Sequence, residues 1–129
     1  MGDRIEISSG SPWESRYGYS RVVRVGPHVW VSGTTAVRDG EVAGIGDVRA
    51  QTVCVFAIVE EALRRVSAHL RDVVRVRIYT TEIARADDIG EVMGTLFREW
   101  HPTATLVEVS KLIDPDLLVE VEVDAIVEG

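Results

Sequence analysis

Residues 99–112 read EWHPTATLVEVSKL, and the change of periodicity inside this stretch decides the architecture. Pro102 cannot continue a helix, because it has no N–H to donate and its ring collides with the preceding turn; it also biases His101 toward extended backbone. Upstream, Ile89, Val92, Met93, Leu96, Phe97 and Trp100 recur at helical spacing. The sequence therefore predicts a helix over about 87–100, capped near Asp87 or Asp88 and stopped by Pro102. Gly90 and Gly94 weaken that helix, and their expected role is to let a neighbour pack closely. Downstream, three small residues, Thr103, Ala104 and Thr105, open a strand predicted over 103–110.

Working outward in both directions gives the remaining elements. Toward the C-terminus, the turn-forming residues IDPD at 113–116 separate this strand from another over 118–127. Toward the N-terminus, residues 73–81 alternate as a strand, with Val74, Val76, Ile78 and Thr80 on one face and Val73, Arg75, Arg77, Tyr79 and Thr81 on the other. Before it, Thr52, Val55, Phe56, Val59, Ala62, Leu63, Val66 and Leu70 form one stripe of a helix over about 47–70. Asp47 suits its N-cap, and Glu60–Arg64 and Glu61–Arg65 make i,i+4 pairs on its polar face. Gly40, Gly44 and Gly46 mark a loop. Arg21–Val25 and Val29–Gly33, joined by Gly26-Pro27-His28, read as a hairpin.

The predicted order is hairpin, helix, strand, helix, strand, strand. That order implies an α/β (α+β) fold, a mixed sheet with two helices packed on one face, in one domain over 1–129. On the other face the alternation puts Ala104, Leu106, Glu108, Glu120, Glu122 and Asp124 with Arg75, Arg77 and Tyr79. A solvated face or a subunit interface fits this mixture equally.

Composition excludes several function classes. The chain has 129 residues, 46% hydrophobic and 27% charged, with a net charge of −7, which disfavours a phosphate backbone as partner, so no nucleic acid is expected. The longest uncharged run, Gln51–Val59, is too short to cross a bilayer, no secretory signal pattern is present, and the expected location is cytoplasmic, with no membrane partner. One cysteine, Cys54, allows no internal disulfide or thiolate zinc cluster. His28, His69 and His101 lack metal-ligand spacing, so neither a metal nor a cofactor is expected. A lone Gly44-x-Gly46 is too weak a signal for a dinucleotide site.

Several local patterns, taken together in order, resemble the RidA/YjgF family of reactive-intermediate deaminases, also called endoribonuclease L-PSP. GYSRVVRVGPHVWVSGTT (18–35) is similar to the family's entry hairpin and LVEVEVDAI (118–126) to its closing strand. The likeness runs from about Gly18 to Val127. It implies a chorismate-mutase-like fold assembled as a homotrimer, with small-molecule clefts between subunits. In active members an arginine after the proline of P-A-R-S/T holds the substrate carboxylate, and a glutamate of the last strand positions the water that hydrolyses an enamine or imine. Carried over, Glu120 is the catalytic candidate, or Glu122 if the strand is aligned by its end. Tyr19, Ser32, Gly33, Ala104 and Thr105 are the substrate-binding candidates. Ala104 stands where the family has its arginine, and Gly90 where a helix asparagine is usual. The resemblance leaves an enamine or imine deaminase of altered substrate, a non-catalytic metabolite-binding trimer, and, fitting the acidic charge poorly, a ribonuclease.

Overall fold

The structure, a computed structural model, describes residues 3–128; Met1, Gly2 and Gly129 lie outside that range. In chain order the elements are β1 (Arg4–Ile7), α1 (Pro12–Tyr17), β2 (Val22–Val25), β3 (His28–Thr35), β4 (Val37–Arg38), β5 (Glu41–Val42), α2 (Val48–Arg64), β6 (Val73–Thr80), α3 (Ala86–Leu96), β7 (Thr103–Glu108) and β8 (Val119–Ile126). Six strands form one sheet in the order β1-β2-β3-β8-β6-β7, and β4 with β5 makes a separate ribbon. Only β6 and β7 run parallel; the other neighbours are antiparallel. The sheet is mixed, with α2 and α3 packed on it, as the order of elements predicts.

The core lies between α2 and the sheet. Val55, Phe56, Val59 and Leu63 of α2 meet Val22, Val29, Val31, Val76, Val119, Val121 and Val123, all fully buried or nearly so. Each such apolar side chain contributes about 2 kcal/mol by leaving water. Phe97, just past α3, meets Phe56 edge to face at 5.8 Å, which ties the two helices together. Asp47 accepts from the Ala50 N–H as the N-cap of α2. The β2–β3 hairpin turns through Gly26, whose φ of 59° suits the first central position of a tight turn, followed by Pro27. No helix among the described residues is long and apolar enough to cross a membrane.

Other expectations change. Helix α2 stops at Arg64 rather than near 70, because the chain turns through Ser67 at φ 62° while Arg24 donates to the Val66 carbonyl. Glu60 keeps Arg64 at 3.3 Å, but Glu61 is held by both guanidinium nitrogens of Arg38 and Arg65 reaches the Ser8 carbonyl. Helix α3 ends at Leu96, ahead of Pro102, as Phe97 turns into the core and Trp100 stays exposed. Asp87 and Asp88 lie in its first turn, and neither caps it. Among the described residues nothing lies within 4 Å of a Cβ placed on Gly90 or Gly94.

Two strands face differently from the simple alternation. In β6 a bulge pairs Val73 with Ala125 but Arg75 with Asp124, so Val73 is buried and Val74 exposed. In β7 the pairs Val76↔Ala104, Ile78↔Leu106 and Thr80↔Glu108 put Ala104, Leu106 and Glu108 on the helix side. Thr103, Thr105 and Val107 therefore share the outer face with Arg75, Arg77 and Tyr79, the reverse of the predicted facing.

Candidate functional site

The site begins with a bulge in β3. Val31 pairs with Val123 and Thr34 with Val121, so Ser32 and Gly33 occupy the extra length between them. Both Val31 and Thr34 can then be buried while the backbone at Ser32-Gly33 opens toward the outer face. Ser32 is fixed by two bonds across the hairpin: its N–H donates to the Arg21 carbonyl at 3.0 Å and its hydroxyl to the Ser20 carbonyl at 2.6 Å. Glu120 lies directly on Gly33; a Cβ at this position would displace Glu120 Oε2 from its present place.

Glu120 reaches that place from β8, between Thr35 of β3 and Tyr79 of β6. Its carboxyl is half-buried, and burial pushes its pKa above the ordinary carboxylate value; the charge of Arg21 opposes the shift and that of Glu122 adds to it. No hydrogen-bond donor among the described residues satisfies it. Glu122, two residues on and on the same face, accepts the Tyr79 hydroxyl at 2.5 Å. That bond, with burial and the Glu122 charge, raises the Tyr79 pKa. Asp124 completes the row by pairing with Arg77 at 3.5 Å.

Tyr19 and Ser32 line a groove of about 430 Å³ that also touches Val23, Trp30, Glu122 and Asp124. Gly33 and Glu120 adjoin this groove at Ser32 but do not line it. Tyr19 is exposed, its backbone held by an N–H to the Glu14 carbonyl at 3.0 Å. Four sequence candidates, Tyr19, Ser32, Gly33 and Glu120, thus converge around one bulge. Ala104 and Thr105 do not join them. They lie on the edge strand β7, two strands from β8, and Thr105 is level with Glu122 across Arg77. Ala104 is exposed on the helix side, and the Thr105 hydroxyl accepts from Arg75 at 3.2 Å.

The sequence reading missed one charged group entirely. Glu14, on the short helix α1, is 2% exposed. It accepts from the Ser8 hydroxyl at 2.7 Å, the Ser9 N–H at 2.8 Å and the Ser9 hydroxyl at 2.5 Å, and lies 3.7 Å from Arg21 Nε. Burial acts to raise its pKa, but the Ser9 and Ser8 bonds and the Arg21 charge outweigh it, leaving the carboxyl below the ordinary range. The signal was local: Ser11-Pro12 is a cap followed by a first-turn proline, and Gly18 a left-handed stop. Of the other arginines, Arg24 is spent on the carbonyls of Gly26 and Val66. Chemically, the cluster offers a half-buried carboxylate free to take a proton, with a cation and a hydrogen-bonded tyrosine beside it.

Comparison with known proteins places this geometry. The family model described as endoribonuclease L-PSP matches residues 11–127. A crystal structure of a Mycobacterium tuberculosis protein, named a member of the YjgF family, superimposes with a TM-score of 0.88 at 47% identity, covering 97% of this chain and all of that one. An uncharacterised protein of Streptomyces coelicolor is 36% identical over 92% of this chain and 89% of its own length. The 3-aminoacrylate deaminase RutC of Acinetobacter baylyi is 31% identical over 72% of this chain and 74% of its own. The chain belongs to the endoribonuclease L-PSP family, known equally as the RidA/YjgF family.

Proposed function

We propose that the protein is a hydrolytic deaminase of an enamine or imine, working as a homotrimer with Glu120 as its general base in clefts between subunits. The observation that carries the reading is the Glu120 carboxylate itself, half-buried against Gly33 and without a hydrogen-bond donor among the described residues. A half-buried carboxylate with no protein donor leaves its lone pairs open to water or a ligand. In this reading a water occupies them. The water oxygen adds to the imine carbon, C=N becomes C–N, and Glu120 takes the water's proton. Glu120 returns that proton to the nitrogen, giving a carbinolamine; it then takes the carbinol hydroxyl proton and passes it to the nitrogen as the C–N bond breaks, so that ammonia leaves and the C–O bond becomes the C=O of a ketone. An enamine enters the same path after tautomerising to its imine.

The substrate differs from the small carboxylate-bearing enamines handled by arginine-bearing relatives. Ala104 offers no charge, and Arg21, whose charge acts on Glu120, also lies 3.7 Å from the buried carboxylate of Glu14. A substrate without a carboxylate at the reacting end, or a larger enamine held elsewhere, fits this site. The test is ammonia release from a panel of enamines generated in situ, with 2-iminopropionate included. Turnover of a carboxylate-free member that is lost in Glu120→Gln supports the proposal. Thermal stabilisation by a compound without ammonia release from any would identify a metabolite-binding trimer instead.

A further inference from the structure

Helix α1 has six residues and caps nothing in the core, yet it carries the most thoroughly buried carboxylate of the described residues. Three donors from Ser8 and Ser9 fix that carboxylate, and its remaining neighbour is Arg21 at 3.7 Å. The Arg21 side chain is 15% exposed, and its Nε is buried with no hydrogen-bond partner. Burying a guanidinium this far without pairing it fully is expensive, and a structure that needed only to satisfy Glu14 already has the serines for that. The backbone sets Arg21 beside the bulge on which Glu120 lies. The Arg21 carbonyl receives the Ser32 N–H, and the next residue, Gly33, is the one on which Glu120 lies. Arg21 follows the outer side of the hairpin, since Val22 points into the core.

We infer that Arg21, steered by buried Glu14, is a positioning residue that keeps Glu120 ionised and directed toward Gly33. The inference rests on Glu120 being the general base proposed above. Glu120 is otherwise surrounded by groups that disfavour its charge or leave it unchanged. From β8 it meets Glu122, a like charge; from β6, Tyr79, whose hydroxyl is given to Glu122; from β3, Gly33 and Thr35, which do not titrate. Among the described residues Arg21 is the cation that acts on it, and the Arg21 charge acts on both carboxylates. The arrangement leaves Glu120 an anion that readily accepts a proton, which is what a base near neutral pH requires. It also explains why Arg21 does not replace the lost anchor at Ala104: its charge is already shared.

The experiment follows the side-chain carboxyl carbon of Glu120 by 13C NMR across pH in the full chain, the signal being assigned by its loss in Glu120→Gln. Arg21→Gln is expected to raise the Glu120 midpoint by about one pH unit, the lower end of what losing a neighbouring opposite charge does to a carboxylate. Arg21→Lys restores most of that shift. Glu14→Gln keeps one oxygen to accept the Ser8 hydroxyl and the Ser9 N–H, while its NH2 group can donate to a reoriented Ser9 hydroxyl; it no longer competes for Arg21, so it moves the midpoint down. Midpoints that stay put in Arg21→Gln, or that move the same way in both glutamine variants, would overturn the inference. Should Arg21→Gln fail to fold, Glu14→Gln decides alone, an unmoved or raised midpoint counting against it. The titration needs no substrate: opposite shifts with no ammonia release from any enamine would leave Arg21's role standing and sink the deaminase reading. Ammonia release with unmoved midpoints would do the reverse.

Discussion

Glu14 and Glu120 share one arginine and are driven in opposite directions. Glu14 has three donors and stays below the ordinary carboxylate range; Glu120 has none and rises above it. A folded pKa above the unfolded value of about 4.5 means the ionised form is the one folding disfavours. Stability linked to Glu120 is therefore present below that value and lost as pH rises through the folded pKa. Glu120→Gln, which carries no charge at any pH, is expected to melt on the order of 2 °C higher than the native protein at pH 7. The gap should close near pH 4, where both states protonate the carboxyl. A variant that melts lower at pH 7, or whose advantage grows on acidification, would show that Glu120 is not a strained carboxylate. Its place in a closing-strand motif made Glu120 visible in the sequence. Glu14 was missed: Ser11-Pro12 and Gly18 mark its helix, but its partners Ser8, Ser9 and Arg21 come from segments with no shared periodicity.

At the level of elements, legibility followed length. The 17 residues of α2 carry a full apolar stripe, and its buried positions are those the 3.6-residue period selects. The six residues of α1, the four of β1 and the β4–β5 ribbon are too short to show any period, and none was foreseen. Strand β7 failed for another reason: Leu106 and Val107 are adjacent and both apolar, so composition alone does not choose the buried one, and the parallel register with β6 does. Gln51 shows what a stripe analysis overlooks. It is fully buried on α2, where its amide nitrogen donates to the Asp116 carbonyl at 2.8 Å and its oxygen accepts the Leu118 N–H at 2.8 Å. These bonds fasten the turn before β8 to the helix and so set where Glu120 emerges. Gln51→Ala leaves two backbone groups unpaired in the interior and is expected to cost about 3 kcal/mol by urea denaturation. A loss below about 0.5 kcal/mol would mean water replaces both bonds.

For the whole molecule, the topology carries its own argument about assembly. Glu120 is on the outer face of β8, and Ala104 is on the helix side of the edge strand β7, so the two do not meet across one ligand within a single chain. If relatives' anchor and base act on one substrate, the anchor must come from a neighbouring copy. The outer face is suited to receive one, because Trp30, Val74, Val107 and Ile126 are all exposed on it or at its bulge. Light scattering is expected to give three times the 14.2 kDa chain mass. Function tests the same geometry more sharply. Ala104→Arg supplies a guanidinium at the position where the family resemblance implies a carboxylate-binding arginine, and is expected to bring 2-iminopropionate turnover to a protein expected to lack it. Adding Glu120→Gln to that chain removes the base and the gain together. Mixing this inactive double variant with native chains, under conditions that let subunits exchange, should then recover turnover, since some clefts pair an arginine from one chain with the Glu120 of another. Activity in Ala104→Arg alone with none in the mixture would put anchor and base in one chain and refute the intersubunit cleft.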